Sequence, residues 1–365
     1  QMKHIMDGIV AIDKNDVNLS NANMSSHTPA GQMMTFASEV TKDYTYKYLL
    51  PKKYAEAHQL GDIHIHDLDY YPTKTTTCIQ YDLDDLFERG FRTKNGSIRT
   101  PQSIQSYATL ATIIFQTNQN EQHGGQAIPA FDFFMAEGVR KTFRKHLKTL
   151  TEFYIEVEGK EPGTEALKKI EEKAYAMTRK DTHQAMEGFI HNLNTMNSRA
   201  GAQVPFSSIN YGMDVSPEGR LVMKNVLLAT EAGLGGGETP IFPIQIFRVK
   251  EGVNFNPGDP NYDLYRLAIR TSAKRLFPNF SFVDAPFNLQ YYKPGHPETE
   301  IAYMGCRTRV MGNVYDPDRE IAPRRGNLSF TSINLPRIAI EANGNVDVFF
   351  KVLQERMELV IDQLN

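Results

Sequence analysis

Residues 206–249 read FSSINYGMDVSPEGRLVMKNVLLATEAGLGGGETPIFPIQIFRV. Short runs at its two ends, 206–211 and 241–249, are rich in β-branched and aromatic residues and bounded by turn residues, as strands are. Between them, Ser216-Pro217 places a capping hydroxyl ahead of a proline at the first helical position, where the missing N–H is not needed. A helix is expected over 217–232. The glycine-rich run Gly233-Leu234-Gly235-Gly236-Gly237 joins helix to strand rather than strand to helix, and no Gly-Lys-Ser/Thr follows. It therefore reads as a tight turn and not as a phosphate loop.

The same alternation extends in both directions. Further strands are expected at 63–68, 75–81, 280–284 and 329–335, and further helices at about 100–120, 131–157, 163–197 and 261–276. Thr28-Pro29 and Thr100-Pro101 repeat the capping signature. The helix opened by Pro29 is expected to break near Pro51 and to end at Gly61. No repeat, low-complexity tract or Pro/Ser-rich linker divides the chain. Residues 1–365 are thus expected to form one domain, an α/β sheet or barrel with helices outside and chemistry at strand ends and their loops.

The chain has 365 residues, with 40 basic and 43 acidic side chains and a formal net charge of −3. That balance argues against a protein that coats DNA or RNA. No stretch approaches the roughly 18 consecutive apolar residues of a membrane span, and the opening residues lack the apolar core of a signal peptide. Only Cys78 and Cys306 carry thiols, too few for a secreted disulfide scaffold, so a reducing cytoplasm is the expected compartment. The last segment, 345–365, is rich in helix formers and stops without a terminating signal, so it reads as cut within a structural element.

Several residues are candidates for chemistry. Cys78 and Cys306 are too far apart for any local redox or zinc motif, and a lone cysteine is as often a small buried hydrophobe as a reactive thiol. Cys306 lies in the polar, Gly-containing segment Tyr303-Met304-Gly305-Cys306-Arg307, which reads as a loop tip. His64 and His66, two apart, would face the same side of a strand with Asp67 following; this suits a metal but equally suits two histidines bonded to neighbours. Ser25, Ser26 and Thr28 precede a helix N-terminus, where free N–H groups and the macrodipole favour an anion or simply a cap. Arg140, Lys141, Arg144, Lys145 and Lys148 form a basic stripe, either a solvated face or a phosphate contact.

Taken together, the blocks NANMSSHTPAGQ (21–32), GDIHIHDLDYY (61–71), QHGGQAIPAF (122–131), SRAGAQVPFSSINY (198–211), ETPIFPIQIF (238–247), MGCRTRV (304–310) and RGNLSFTSINLP (325–336) resemble the large subunit of the anaerobic (class III) ribonucleoside-triphosphate reductases, which are glycyl-radical enzymes. The resemblance implies a ten-stranded α/β barrel of two antiparallel five-stranded halves with a finger loop inside, carrying Cys306 at its tip. It implies a stable glycyl radical, installed by a radical-SAM activating enzyme with a 4Fe-4S cluster, and a thiyl radical on Cys306 that abstracts the ribose 3′ hydrogen. Cys78 would be the second thiol, with formate as reductant. Asn327 would hydrogen-bond ribose or formate, with Met304, His64 and Asn288 as further pocket candidates. Ribonucleoside triphosphates are the implied substrates, deoxynucleotides and ATP the effectors, and a homodimer the assembly. The implied specificity site lies around helices 100–119 and 131–157. The family's glycyl-radical segment and four-cysteine zinc site have no counterpart before Asn365, and its N-terminal ATP-cone has none either. A pyruvate formate-lyase-type enzyme, which uses two adjacent cysteines, fits poorly, since Cys306 has no cysteine neighbour. Two other readings are a nucleotide-binding regulatory subunit and a metal-dependent enzyme centred on His64 and His66.

Overall fold

In the computed structural model the described residues are 2–11, 25, 27–93, 95–199, 201–305 and 308–365. Of the residues given a role above, Ser26 and Cys306 lie outside them.

Five parallel strands run side by side in the order Cys78–Gln80, Gln126–Ile128, Ser207–Tyr211, Ile244–Val249 and Asn279–Phe282. A sixth, Gly326–Asn327, joins antiparallel at the edge of the first. The parallel order follows from the long helices between strands: Ile104–Asn118, Phe131–Glu158, Thr164–Thr195, Pro217–Ala232 and Tyr262–Arg275 return the chain to the same end of the sheet each time. Each expected strand is present but shorter. Gln126–Ile128 is additional; three residues between Gly125 and Pro129 are too few for alternation to show.

The two faces of the sheet differ in chemistry. Tyr211 and Phe247 turn to the helices and join a core built with Phe131, Phe189 and Leu227. The opposite face carries Asn210 and Arg248, both fully buried. Asn210 grips the strand Tyr303–Met304 from both sides: its Oδ1 accepts from the Tyr303 N–H at 2.8 Å and its Nδ2 donates to the Tyr303 carbonyl at 2.9 Å. Arg248 meets Glu300 at 2.9 Å and Asp132 at 3.5 Å, and donates to the Pro129 carbonyl. A second oxygen of Asp132 accepts three consecutive backbone N–H groups, from Gly212, Met213 and Asp214. Buried polar groups thus hold residues 300–304 against the inner face of the sheet, where an unpaired group would be costly.

Burial pushes the Glu300 carboxyl up to about 8, against the pull of Arg248. A carboxyl raised by folding contributes stability that is complete below its unfolded value and is lost as pH rises through the folded value. Glu300→Gln, which carries no charge, is therefore expected to flatten the stability profile between about pH 5 and pH 9, with its advantage over wild type growing at the alkaline end. Urea-unfolding midpoints across that range check this, and parallel profiles would refute it.

The helix starts follow local chemistry. Thr28 Oγ1 accepts from the Gly31 N–H, with Pro29 at the first helical position, and Ser216 Oγ accepts from Gly219 in the same way. Thr100-Pro101 does not start a helix. Ser103 and Ser106 exchange side-chain bonds to each other's backbone and begin it at Ile104, while the Thr100 hydroxyl bonds to the Glu88 carbonyl; the two-way capping box satisfies more orphan donors than a single hydroxyl. A helix Met2–Val10 comes first in the chain, and the helix opened by Pro29 runs Pro29–Tyr44, continues as a wider turn to Leu49, and resumes after Pro51 as Lys52–Gln59. The glycine-rich run is the expected turn, with Gly233 and Gly237 at positive φ. Among the described residues no helix is long and apolar enough to cross a membrane.

Candidate active site

Cys78 opens the first parallel strand with its side chain buried, 5 % exposed. Directly opposite, in antiparallel register, stands Asn327, so the two side chains share one face of the sheet. The hairpin strands Tyr303–Met304 and Thr308–Arg309 pair with Met304 opposite Thr308. Gly305, at φ +55°, brings this hairpin onto Cys78: a Cβ built there would lie 2.8 Å from the Cys78 Sγ. Gly125 faces Gly305 from the neighbouring strand, where a Cβ would fall 2.4 Å from the Gly305 Cα. At Gly124 it would fall 1.1 Å from the Thr77 carbonyl oxygen. Two glycines on one side and one on the other let three backbones meet around a thiol.

Cys78, Gly124, Gly125 and Gly305 close one end of a cavity of about 720 Å³, and Asn327 is not among the residues that line it. It opens at the N-terminal ends of the first three parallel strands, with Thr35 and Ser38 from the helix Pro29–Tyr44 on the far wall. Asp67, held at φ +52°, accepts from the Thr77 hydroxyl at 3.1 Å and lies 3.7 Å from His123 Nε2. A left-handed aspartate is tolerated because its short side chain can bond locally. His123 bonds to the Thr75 hydroxyl at 2.8 Å through Nδ1 and stacks on Tyr70, 4.9 Å between centroids. Burial pulls its pKa down, while Asp67 and Asp69 oppose that, and the ring faces the cavity beside the Asp67 side chain. Arg199 donates to the Gln122 carbonyl and to Gln203 Oε1, and burial lowers its pKa.

The structure brings together some of the expected residues and separates others. Cys78 and Asn327 meet, with Gly305 on the thiol. Met304 does not line the cavity: it is fully buried and packs with Cys78 and Ala127, because the residue before the tip points into the sheet. His64 lies on the exposed face of Ile63–Ile65, between His58 and His66 at 4.9 and 4.6 Å; His66, bonded to Ser332 Oγ, is the one that lines the cavity. Asn288 is a structural clamp, donating to the Phe282 carbonyl and accepting from Arg309 Nε, so its amide is committed away from the cavity. Thr28 is engaged as a cap, and the Ser25 N–H donates to the Gly201 carbonyl. In the basic stripe, Arg140 and Arg144 pair with Glu137 and Lys148 with Glu152, while Lys141 Nζ donates to the Pro101 carbonyl and the Tyr107 hydroxyl. Among the described residues no group of three or more His, Cys, Asp and Glu is placed to hold a metal ion.

Sequence reasoning missed His123 and Arg199 as cavity residues, although both lie in blocks it singled out. The available signal was position: each stands a few residues ahead of a parallel strand, at the end where the cavity opens.

The model of the family described as "Anaerobic ribonucleoside-triphosphate reductase" matches residues 20–365. The chain belongs to that family. Among curated relatives, the anaerobic ribonucleoside-triphosphate reductase of Salmonella typhimurium is 33% identical over 341 residues, covering 93% of this chain and 45% of that protein. The enzyme of the same name from Enterobacteria phage T4 is 31% identical over 365 residues, covering 98% of this chain and 57% of its own length. The chain thus spans about half the length of the curated relatives it matches. Among solved structures, the anaerobic ribonucleotide reductase from Thermotoga maritima in complex with dATP and CTP superposes with a TM-score of 0.62 at 15% identity, covering 92% of this chain and 54% of that one. The fold is therefore the α/β barrel of these reductases, and the five parallel strands with their antiparallel edge strand are this chain's part of it.

Proposed function

We propose that the intact anaerobic ribonucleoside-triphosphate reductase to which this chain belongs converts ribonucleoside triphosphates to 2′-deoxyribonucleoside triphosphates with formate as reductant, supplying DNA precursors. The observation that carries this reading is the seat of Gly305 on the Cys78 Sγ, 2.8 Å from a Cβ built at the glycine. It sets the residue next to Cys306 on the second thiol, beside a cavity of nucleotide size.

A glycyl radical outside this chain, made by a radical-SAM partner with a 4Fe-4S cluster, would supply the oxidising equivalent that turns the Cys306 thiol into a thiyl. Cys306 then takes the ribose 3′ hydrogen, and the 2′ hydroxyl leaves as water. Cys78 takes part in reducing the substrate radical, and Cys306 returns the 3′ hydrogen. The sum is one triphosphate, one formate and one proton giving one deoxynucleotide, one carbon dioxide and one water. Asn327, beside Cys78, offers an amide to ribose or formate. Ser25 and Thr28 precede the helix Pro29–Tyr44, with Ser26 between them in the sequence, and the macrodipole of that helix would favour the triphosphate. Contact between reacting atoms and exclusion of water are what such a radical step requires of the cavity. Deoxynucleotide and ATP effectors, a zinc site beyond residue 365, a homodimer and a cytoplasmic location complete the proposal.

The test is anaerobic turnover of CTP by the intact, activated protein, with labelled formate. Equal yields of dCTP and labelled carbon dioxide are expected. An activated protein that carries its radical but makes no deoxynucleotide from any of the four triphosphates would refute the activity, and dCTP formed equally without formate would refute the reductant.

A further inference from the structure

The outer helices form a second, separate cavity of about 800 Å³ that shares no residue with the one beside Cys78. On Thr164–Thr195, residues 175, 179 and 183 recur at four-residue spacing, with 176 and 180 beside them, and therefore lie on one face. On Pro217–Ala232, residues 217, 221, 224 and 228 do the same. The two stripes face each other across a groove that the start of Tyr262–Arg275 closes. The helices where the family resemblance implies the specificity site, Ile104–Asn118 and Phe131–Glu158, contribute nothing to it.

The groove has a cationic rim and an apolar floor. Arg179, Lys180 and Lys224 line it and have no ion pair among the described residues. The acid in the lining, Asp263, is already neutralised by Arg220 through two bonds of 2.9 and 2.8 Å. His183 is held in place at the groove: Asn225 Nδ2 donates to the Leu221 carbonyl, which orients its Oδ1 toward His183 Nδ1 at 3.2 Å. Below the charges lie Leu221 and Leu264, both buried, with the ring of Tyr175 left 45% exposed at one end. An inorganic anion would leave that floor wet, and a neutral apolar ligand would leave three cations unmatched. A ligand with a flat aromatic body and a multiply charged tail satisfies both.

We propose that this groove binds a nucleoside polyphosphate, its base against Tyr175 and the leucine floor and its phosphates on Arg179, Lys180 and Lys224. Guanidinium and ammonium groups on opposite walls suit a chain of phosphates better than a single one.

Equilibrium dialysis of labelled ATP against the intact protein tests this, using wild type, the double variant Arg179→Glu/Lys224→Glu, and Tyr175→Ala. Loss of two charge-assisted contacts is expected to weaken one class of site by about tenfold or more, and Tyr175→Ala to weaken ATP binding there while leaving competition by tripolyphosphate unchanged. Both changes are at exposed positions, and unchanged melting temperatures confirm the fold. Superimposable isotherms for wild type and the double variant would overturn the proposal. So would displacement by tripolyphosphate as effective as by unlabelled ATP, which would mean an anion patch, or tighter displacement by a single-stranded oligonucleotide, which would mean a nucleic-acid surface.

Discussion

Cys78→Ser in the intact protein is expected to abolish deoxynucleotide formation while leaving exchange of the ribose 3′ hydrogen, and Cys306→Ser is expected to abolish both. The distinction rests on position. Cys78 is anchored in the first parallel strand with Gly305 on its sulfur, so it is fixed, and Cys306 is the next residue in the sequence after Gly305. A fixed thiol next to a radical thiol can take part in reduction after the substrate radical has formed, but the hydrogen abstraction that starts the reaction needs only the first. Serine keeps the shape of the side chain and removes the weak S–H bond, so loss of turnover by three orders of magnitude or more, about 4 kcal/mol in the barrier, is expected for either variant. Release of tritium from 3′-labelled CTP separates the two steps. Cys78→Ser with neither product nor tritium release, or Cys306→Ser with retained release, would contradict the assignment of roles.

Gly125→Ala is expected to be nearly as damaging, for a steric reason. Its Cβ would fall 2.4 Å from the Gly305 Cα and 3.1 Å from the Gly305 nitrogen, both backbone atoms of the hairpin. The strand cannot retreat, because the Gly125 carbonyl accepts from the Ile79 N–H at 3.1 Å and the Gln126 N–H donates to the Phe206 carbonyl at 2.9 Å. The hairpin must move instead, by about an ångström, which costs on the order of a hundredfold in a reaction that depends on contact. Overpacking adds a stability loss of about 1–3 kcal/mol. Gly96→Ala is the control: nothing lies within 4 Å of a Cβ there, and both turnover and melting temperature should stay at wild-type values. If Gly125→Ala turned over within about threefold of wild type, the tight contact of Gly125, Gly305 and Cys78 would not set the geometry of the reaction.

Much of the fold was legible in residues that interact along the chain. The caps at Thr28 and Ser216, the turn at Gly233, the break at Pro51 and the long helices all depend on bonds reaching three or four residues, and these residues carry the signal themselves. The failure at Thr100 has the same origin: two hydroxyl residues competed for one helix start, and the mutual bonds of Ser103 and Ser106 won. Strand Gln126–Ile128 escaped because its identity comes from neighbours on both sides rather than from its own three residues. Within the candidate site, the importance of Cys78 and Asn327 came from the family resemblance, and spacing alone would have left Cys78 a buried hydrophobe. His64 and His66 show the limit of the two-residue period. They do remain in contact, but the strand stops at Ile65 and Asp67 turns the chain at positive φ, so only His66 reaches the cavity.

By itself, the sequence determined a succession of strands and helices with defined ends, an α/β architecture and the family, because local bonds and motif blocks are written in contiguous residues. Only the tertiary structure decided that Asn327 stands opposite Cys78, that Asp67, His123 and Arg199 converge on one cavity, and that Met304 turns inward while Gly305 meets the thiol. These are contacts between segments far apart in the chain. They depend on sheet order, on register, and on buried groups such as Asn210 and Arg248 that hold the hairpin in place, and no spacing along the sequence encodes those.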